Sequence, residues 1–563
     1  MSQNKTAHPK GLYVLFTTEM WERFNFYGMR AILSLFMVEA LMLGEKNASI
    51  IYGGFLGLCY LTPMLGGYLS DKYLGNRICI LLGGFMMAVG QFILFYSASV
   101  FGNDIDFAKA LLWTGLLVLI FGNGFFKPNI SSMVGQLYPP HEKSKLDSAF
   151  TIFYLGINVG ATLGILICPL LGDVKDSLGV RDLTAFKWGF FAAGVAMLLA
   201  CIIFYLLKDK YVITPEGEKI GDKPDHNKLK ASGEEQAKFT TNSLIMSVLI
   251  LVGLTFAFHY LSFDPNESDP NPIKLWLYPF IYASGISLAY LIASDKSLTK
   301  IERDRIFVLY IVALFVMFFW AAFEQAGSSL TFIADKQTDT NIFGWNMPPS
   351  MVQNFNSIFV IVLALPFSLF WAWADKMWPN TISPQKQAIG LALIALGYFL
   401  IATQVKGLGL DGKIGIIWLV VLYLLHTMGE LCLSPIGLSL VAKLSPVRFS
   451  SLLMGVWFIA NAAGYALAGT LGALLPPTGD KFEKAQKLGI DLKAVLDKSV
   501  VPTTEQIAIM KQNNLPEMYP SFVGFQIENL YQFFMLFVII PLCAAIILFA
   551  LSPLMRKLMH GVR

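Results

Sequence analysis

The 563-residue chain is 55% hydrophobic and only 14% charged, an apolar excess that excludes a water-soluble globular domain and points to a polytopic membrane protein. Its net charge of +4, from 42 basic and 38 acidic residues, is spread over short loops rather than gathered in one stripe, which argues against nucleic-acid binding. The six cysteines (Cys59, Cys79, Cys168, Cys201, Cys432 and Cys543) lie in apolar runs without metal-ligand spacing, so they read as small buried hydrophobes, with no disulfide framework and no metal site.

In chain order, the N-terminal "MSQNKTAHPK" leads straight into the first apolar run, where acidic residues interrupt what a signal peptide would need as its core, so this span is expected to be retained. Apolar runs of membrane-spanning length fall near 12–40, 50–70, 77–98, 108–133, 146–172 and 185–207. A mixed-charge stretch near 208–240 reads as a solvated linker. Two runs near 241–262 and 273–294 follow, then six more near 305–333, 351–374, 386–405, 414–442, 449–475 and 529–555. The expectation is an all-α chain of about 14 helices, arranged six, two, six. Its parts are a six-helix bundle over 1–207, a cytoplasmic linker with two inserted helices over 208–304, and a second six-helix bundle over 305–563.

The Lys/Arg bias of short loops sets the orientation. Lys72, Arg77, Lys143, Lys145, Lys296, Lys300, Arg303, Arg305, Lys376, Lys386, Lys443, Arg448 and the tail Arg556, Lys557 and Arg563 mark one side, against mostly single residues, Lys46, Lys109, Lys274 and Lys336, on the other. Both termini are therefore expected in the cytoplasm. The stretch 476–528 then falls outside, where "KFEKAQKLGIDLKAVLDK" and "TEQIAIMKQ" read as short polar helices of an inert insertion.

The first span is anomalous. "FTTEMWERFNFYGMR", Phe16 to Arg30, carries Glu19, Glu22, Arg23 and Arg30, although each ionised group costs roughly 2.5–3.5 kcal/mol on insertion scales. With Tyr27 they fall within roughly 140° of helical arc. That shared face must point into protein or a wet cavity, and i,i+4 spacing lets Glu19 neutralise Arg23. Two acids and two bases exceed what gluing helices together needs, and carboxylates beside arginines exchange protons as their surroundings change. Lys127, Glu324 and Glu430 are single charges deep in other spans, and Pro128 and Pro435 are expected to break the helices that carry two of them. Between the second and third spans, "GGYLSDKYLGNR" places Asp71 near Lys72 and Arg77, in a loop whose charge contacts are expected to break when two bundles rock.

Two six-helix halves joined by a linker resemble a major-facilitator-type transporter, which handles substrate near the midplane between its halves. The motifs narrow this further. "ExxERFxFYG" from Glu19 to Gly28, "GGYLSDKYLG", "FKPNISS", "FYLGINVG" from Phe153 to Gly160, "FEQ" at 323–325 and "GELCLSPIGL" together resemble the proton-dependent oligopeptide transporter family, in order along nearly the whole chain. The extra helix pair resembles bacterial members.

The resemblance implies a proton-coupled symporter importing di- and tripeptides by alternating access, a monomeric unit in the plasma membrane with protons as coupling ion and no other cofactor. It implies that Glu19, Glu22 and Arg23 couple protons. Arg30 and Lys127 would face the peptide carboxylate, Glu324 the amino group, and Asn158 and Asn356 would hydrogen-bond the termini. Tyr27, Tyr60, Trp320 and Trp457 would line side-chain pockets, with Glu430 and Ser434 also at the substrate. Asp71, Lys127 and Glu430 would gate, Lys127 pairing with Glu430 across the halves. Two departures stand out: position 26 is Phe where many relatives have Tyr, and the second span lacks the histidine of some animal relatives, leaving coupling to carboxylates. His426, one turn before Glu430, reads as a structural histidine.

The alternatives are transport of another small anion or zwitterion such as nitrate, and, from other classes, a channel or a membrane enzyme. Lys127 and Glu324 kept together with the coupling motif argue against the first. No nucleophile–base pair, metal cluster or phosphate loop supports an enzyme, and no repeated pore motif supports a channel.

Overall fold

A computed structural model of the chain describes residues 8–138, 145–176, 179–214, 217–223, 239–263, 270–409 and 412–562. Lys143, Arg563 and the 224–238 part of the expected linker lie outside the described residues. Each of the fourteen expected spans is a helix. The first six are α1 (Lys10–Leu35), α2 (Gly44–Leu69), α3 (Asn76–Val100), α4 (Ile105–Gln136), α5 (Leu146–Gly172) and α6 (Phe186–Tyr211). The extra pair is α7 (Thr241–Ser262) and α8 (Tyr278–Ala293). The last six begin with α9 (Lys300–Phe323), continued by the short α10 (Ser329–Lys336), and run through α11 (Asn354–Met377), α12 (Ser383–Val405), α13 (Ile416–Leu444) and α14 (Ser450–Gly472). After α15 (Gly479–Lys487), α16 (Leu492–Leu496) and α17 (Thr504–Gln512), the chain closes on the span α18 (Leu530–Leu558).

Among the described residues thirteen helices are long and apolar enough to cross a membrane. The span missing from that set is α1, the one that carries Glu19, Glu22, Arg23 and Arg30. The helices run unbroken through Pro128 and Pro435, against expectation. A helix tolerates an internal proline when neighbours answer the freed backbone groups. The interruption comes instead after α9, where no proline stands: Glu324–Gly327 is a tighter 3₁₀ turn before α10.

The chain forms two compact units, one of Met1–Phe36 with Leu58–Glu234, the other of Met37–Gly57 with Glu235–Arg563. In the first unit α1 packs on α5 and α6, and α3 on α4 and α6. Glycines set how close these helices come. Gly156, Gly160 and Gly164 form one stripe of α5, and a Cβ at each would run into Phe16, the Met20 carbonyl and Phe24 of α1. This is small-residue packing, the usual driver of helix association where lipid supplies no hydrophobic difference. Buried amides add cross-links: Asn25 Nδ2 donates to Ala193 O (2.8 Å), Asn123 Nδ2 to Cys59 O (2.9 Å) and Asn76 Nδ2 to Asn129 Oδ1 (2.9 Å).

Arg77, expected to be a loop charge near Asp71, is buried. Its guanidinium donates to Asp209 Oδ1 (2.7 Å) and to the carbonyls of Ile220 (2.6 Å) and Val212 (2.5 Å), tying α3 to the end of α6 and the turn after it. Gly75 and Gly221, both with positive φ (78° and 74°), let these backbones meet.

In the second unit α9 packs on α14, α12 on α13 and α18, and α7 on α8. The extra pair is fastened there by the Tyr278 hydroxyl, which donates to Ile50 O (2.7 Å) where Gly53 and Gly469 leave room for the ring. The 476–528 insertion forms the expected short helices and encloses a core of Ala485, Ile490, Leu492, Val495, Leu496, Met510, Leu515 and Tyr519. It is fastened to residues 42–45 by Lys481–Glu45 (3.1 Å) and by Asn514 Nδ2 donating to Met42 O (2.8 Å).

Gly160→Val tests the glycine stripe. Overpacking of this kind costs about 1–3 kcal/mol, so the melting temperature of the purified protein should fall by several degrees. Gly102→Ala, where nothing lies within 4 Å of the added Cβ, should leave it unchanged. An unaltered melting temperature for Gly160→Val would contradict the packing described.

Candidate functional site

The first unit gathers most of the charged candidates on α1. Glu19, Glu22, Arg23 and Arg30 are all buried, at 2%, 0%, 4% and 8% exposure. Arg23 Nε lies 2.7 Å from Glu19 Oε1 and 2.7 Å from Glu22 Oε2. A guanidinium Nε carries one hydrogen. That hydrogen is donated to Glu19, and neither oxygen of Glu22 accepts a hydrogen bond among the described residues. The two carboxylates are therefore unequal: Glu19 holds the arginine, and Glu22 has proximity to it without a donor.

Lys127, on α4, places its Nζ 3.9 Å from the centroid of the Tyr60 ring and is in electrostatic reach of Glu22, Arg23 and Tyr27. A cation over an aromatic face keeps part of its solvation energy while remaining movable. Arg30 stands over Tyr27 in the same manner, at 5.4 Å. The unit thus brings Glu19, Glu22, Arg23, Tyr27, Tyr60 and Lys127 together. Asn158, on α5, spends its amide N–H on Tyr154 O (3.0 Å) of its own helix. Asp71 is exposed and has no ion-pair partner among the described residues, while Lys72 bonds the Tyr68 hydroxyl (3.0 Å).

The second unit holds the remaining candidates. Glu324 is buried at the interruption after α9. Gln325 fixes that interruption, its Nε2 donating to Ala321 O (3.0 Å) and Ala468 O (3.0 Å) and its Oε1 accepting from Ser329 Oγ (2.6 Å). The backbone turn is thereby held rigid beside the acid. Asn356 Nδ2 donates to Glu430 Oε2 (3.0 Å) and Thr427 Oγ1 (3.0 Å), so Glu430 is oriented from α11. Trp320 packs against Phe323 and Tyr465 (5.2 and 5.8 Å between ring centroids), and Trp457 fills the space that Gly437 leaves open. The Trp320 Nε1 and Ser434 Oγ atoms are buried with no hydrogen-bond partner among the described residues. His426 sits among the rings of Tyr398, Tyr423 and Phe323, and its buried Nε2 has no hydrogen-bond partner among the described residues.

Sequence reasoning gave Gln325 no role of its own and took Arg77 for a loop charge. Both act through backbone carbonyls of distant segments, which no local pattern reveals. It also passed over the glycine stripe, although the spacing of four in "GINVGATLG" was a usable sign. Among the described residues no group of three or more metal-ligating side chains occurs.

Comparison with known proteins gives one consistent result. Residues 77–487 match the family PTR2: POT family. The chain is 34% identical to the peptide transporter YePEPT of Yersinia enterocolitica subsp. palearctica, over 83% of this chain and 88% of that one. It is 28% identical to dipeptide and tripeptide permease A of Serratia proteamaculans, over 92% and 93%. Among solved structures it resembles peptide transporter POT in complex with sulfate, at a TM-score of 0.71 and 28% identity over 99% of this chain and 97% of that one. It also resembles a POT family transporter in complex with a thioalcohol-conjugated peptide, at 0.70 and 26% over 98% of each.

Gln325→Leu should cost about 1–3 kcal/mol, the loss expected when buried hydrogen-bond partners are left unanswered. It is read as a lowered melting temperature with the helical signal retained; a wild-type melt would show that the interruption after α9 is not held by this side chain.

Proposed function

The chain belongs to the POT family, and from that premise we propose that it is a proton-coupled symporter importing di- and tripeptides by alternating access. Its fold is the all-α major facilitator fold, two six-helix bundles with two extra helices between them in sequence, and it is a multi-pass membrane transporter, not an enzyme. The coupling ion is the proton, no cofactor is needed, and the working unit is the monomer. It lies in the inner (plasma) membrane with both termini cytoplasmic, divided as 1–207, 208–304 and 305–563, with 476–528 extracytoplasmic.

The observation that supports the mechanism best is the inequality of the two α1 glutamates. Arg23 answers Glu19, while Glu22 is fully buried, has no donor among the described residues and lies in electrostatic reach of Lys127. A buried carboxylate must be protonated or paired. Without its proton, Glu22 draws on Lys127; with it, Lys127 is released from that duty and meets the carboxylate of an incoming peptide, together with Arg30. Proton and peptide then bind cooperatively, because each makes the other's site electrostatically available. Glu324 takes the peptide ammonium, and Asn158 and Asn356 hydrogen-bond the constant termini. Glu430 and Ser434 complete the polar contacts, and Tyr27, Tyr60, Trp320 and Trp457 give the variable side chains aromatic walls that tolerate many shapes. Asp71, Lys127 and Glu430 gate the cycle.

One proton moving down 100 mV supplies about 2.3 kcal/mol, enough for roughly 50-fold accumulation of a neutral zwitterion. Reconstituted in liposomes with an inward proton gradient, the wild type should accumulate labelled dialanine, and nitrate should not compete. Glu22→Gln should lose gradient-driven accumulation while still exchanging internal for external dialanine. Full accumulation by Glu22→Gln would sink the mechanism; no peptide-dependent uptake by the wild type would sink the function.

A further inference from the structure

The second unit carries two small hairpins of the same design. In the first, β1 (Asn341–Ile342) pairs antiparallel with β2 (Trp345–Asn346), and Met347 N–H donates to Thr340 O (3.1 Å). In the second, β3 (Ser521–Phe522) pairs with β4 (Phe525–Gln526), and Ile527 N–H donates to Pro520 O (2.8 Å). Each leads within a few residues into a membrane helix, α11 or α18. The four spans α11, α12, α13 and α14 separate them, so both hairpins lie on the same side of the membrane.

Their tips contradict ordinary turn chemistry. A two-residue turn with both central φ angles positive favours Asn-Gly or Asp-Gly. Here the first central residues are Phe343 (φ 51°) and Val523 (φ 49°), followed by Gly344 and Gly524. A bulky or β-branched residue at positive φ is strained. These residues are also bare: Phe343 is fully exposed, Trp345 46%, Val523 79% and Phe525 78%. In water, strain and exposure would both count against them.

Charge indicates what covers them. Residues 340–374 contain no Asp, Glu, Lys, Arg or His, so the first hairpin and the whole apolar part of α11 form one uncharged run. Residues 518–555 contain only Glu528. In composition the hairpins continue the membrane spans, and the second sets the end of the 476–528 insertion apart from its charged part at 480–517. We propose that the two hairpin tips are seated in the interfacial layer of the lipid bilayer, anchoring the second unit at the ends of α11 and α18. This rests on the membrane reading of the chain. Aromatic side chains favour that layer, and apolar burial there offsets the strain at Phe343 and Val523.

The test is aqueous access. Phe343→Cys, Phe525→Cys and, as a water-exposed reference on α17, Lys511→Cys are reconstituted in pure phospholipid liposomes at two protein-to-lipid ratios. The rate of reaction with a membrane-impermeant maleimide is measured against the background of the unsubstituted chain. Each unit by which the interface raises a thiol pKa lowers the reactive thiolate tenfold, so both tips should react about tenfold or more slowly than Lys511→Cys. Dialanine uptake in the same vesicles reports folding, and its failure in the wild type would strike the transport reading rather than this one. Reaction of either tip at the reference rate would overturn the proposal. So would protection that disappears on dilution in lipid, since that would assign the surface to a second copy of the chain.

Discussion

A single N–H bond on Arg23 distinguishes the two buried carboxylates of α1. Two carboxylates approach that nitrogen equally closely, and only one can receive its hydrogen. In water the difference would be trivial. Buried at 2% and 0% exposure, Glu19 and Glu22 cannot turn to solvent, and removing an ion from water without full compensation costs several kcal/mol. The asymmetry gives one glutamate a hydrogen-bond donor and leaves the other with none among the described residues.

Such an arrangement survives only if α1 is enclosed. The α5 glycines bring a second helix backbone against Met20 and Phe24, alongside the charged stripe. Asn25, two residues past Arg23, is tied to α6 through Ala193 O. These contacts fix the rotation of α1, and rotation determines whether five polar residues point inward or into lipid. In the second unit the corresponding rigidity sits around Glu324, where Gln325 and Ser329 hold an interrupted helix. Both acids are presented from backbone that small residues and amides have locked.

Much of this was legible in the sequence because it depends on periodicity. Each of the fourteen apolar runs is a helix, and thirteen of these are long and apolar enough to cross a membrane, since span length follows from bilayer thickness. The shared face of Glu19, Glu22, Arg23, Tyr27 and Arg30 followed from 3.6 residues per turn. What periodicity could not supply was the choice among partners. Arg77 looked like a loop charge near Asp71 and is instead the clasp of α3 on α6. Pro128 and Pro435 looked like breaks, yet the break lies at Glu324, which carries no local signal of its own. The division between Glu19 and Glu22 was also out of reach, because it depends on the direction of one hydrogen.

In the proposed mechanism a proton on Glu22 and a peptide carboxylate at Lys127 favour each other's binding. The most direct measurement is the affinity of the purified protein for dialanine as a function of pH, without a membrane gradient. Affinity should fall as pH rises and Glu22 loses its proton, because Lys127 is then drawn back to the carboxylate; in Glu22→Gln it should be flat across the same range. Wild-type affinity independent of pH, or a pH dependence that persists in Glu22→Gln, would contradict it.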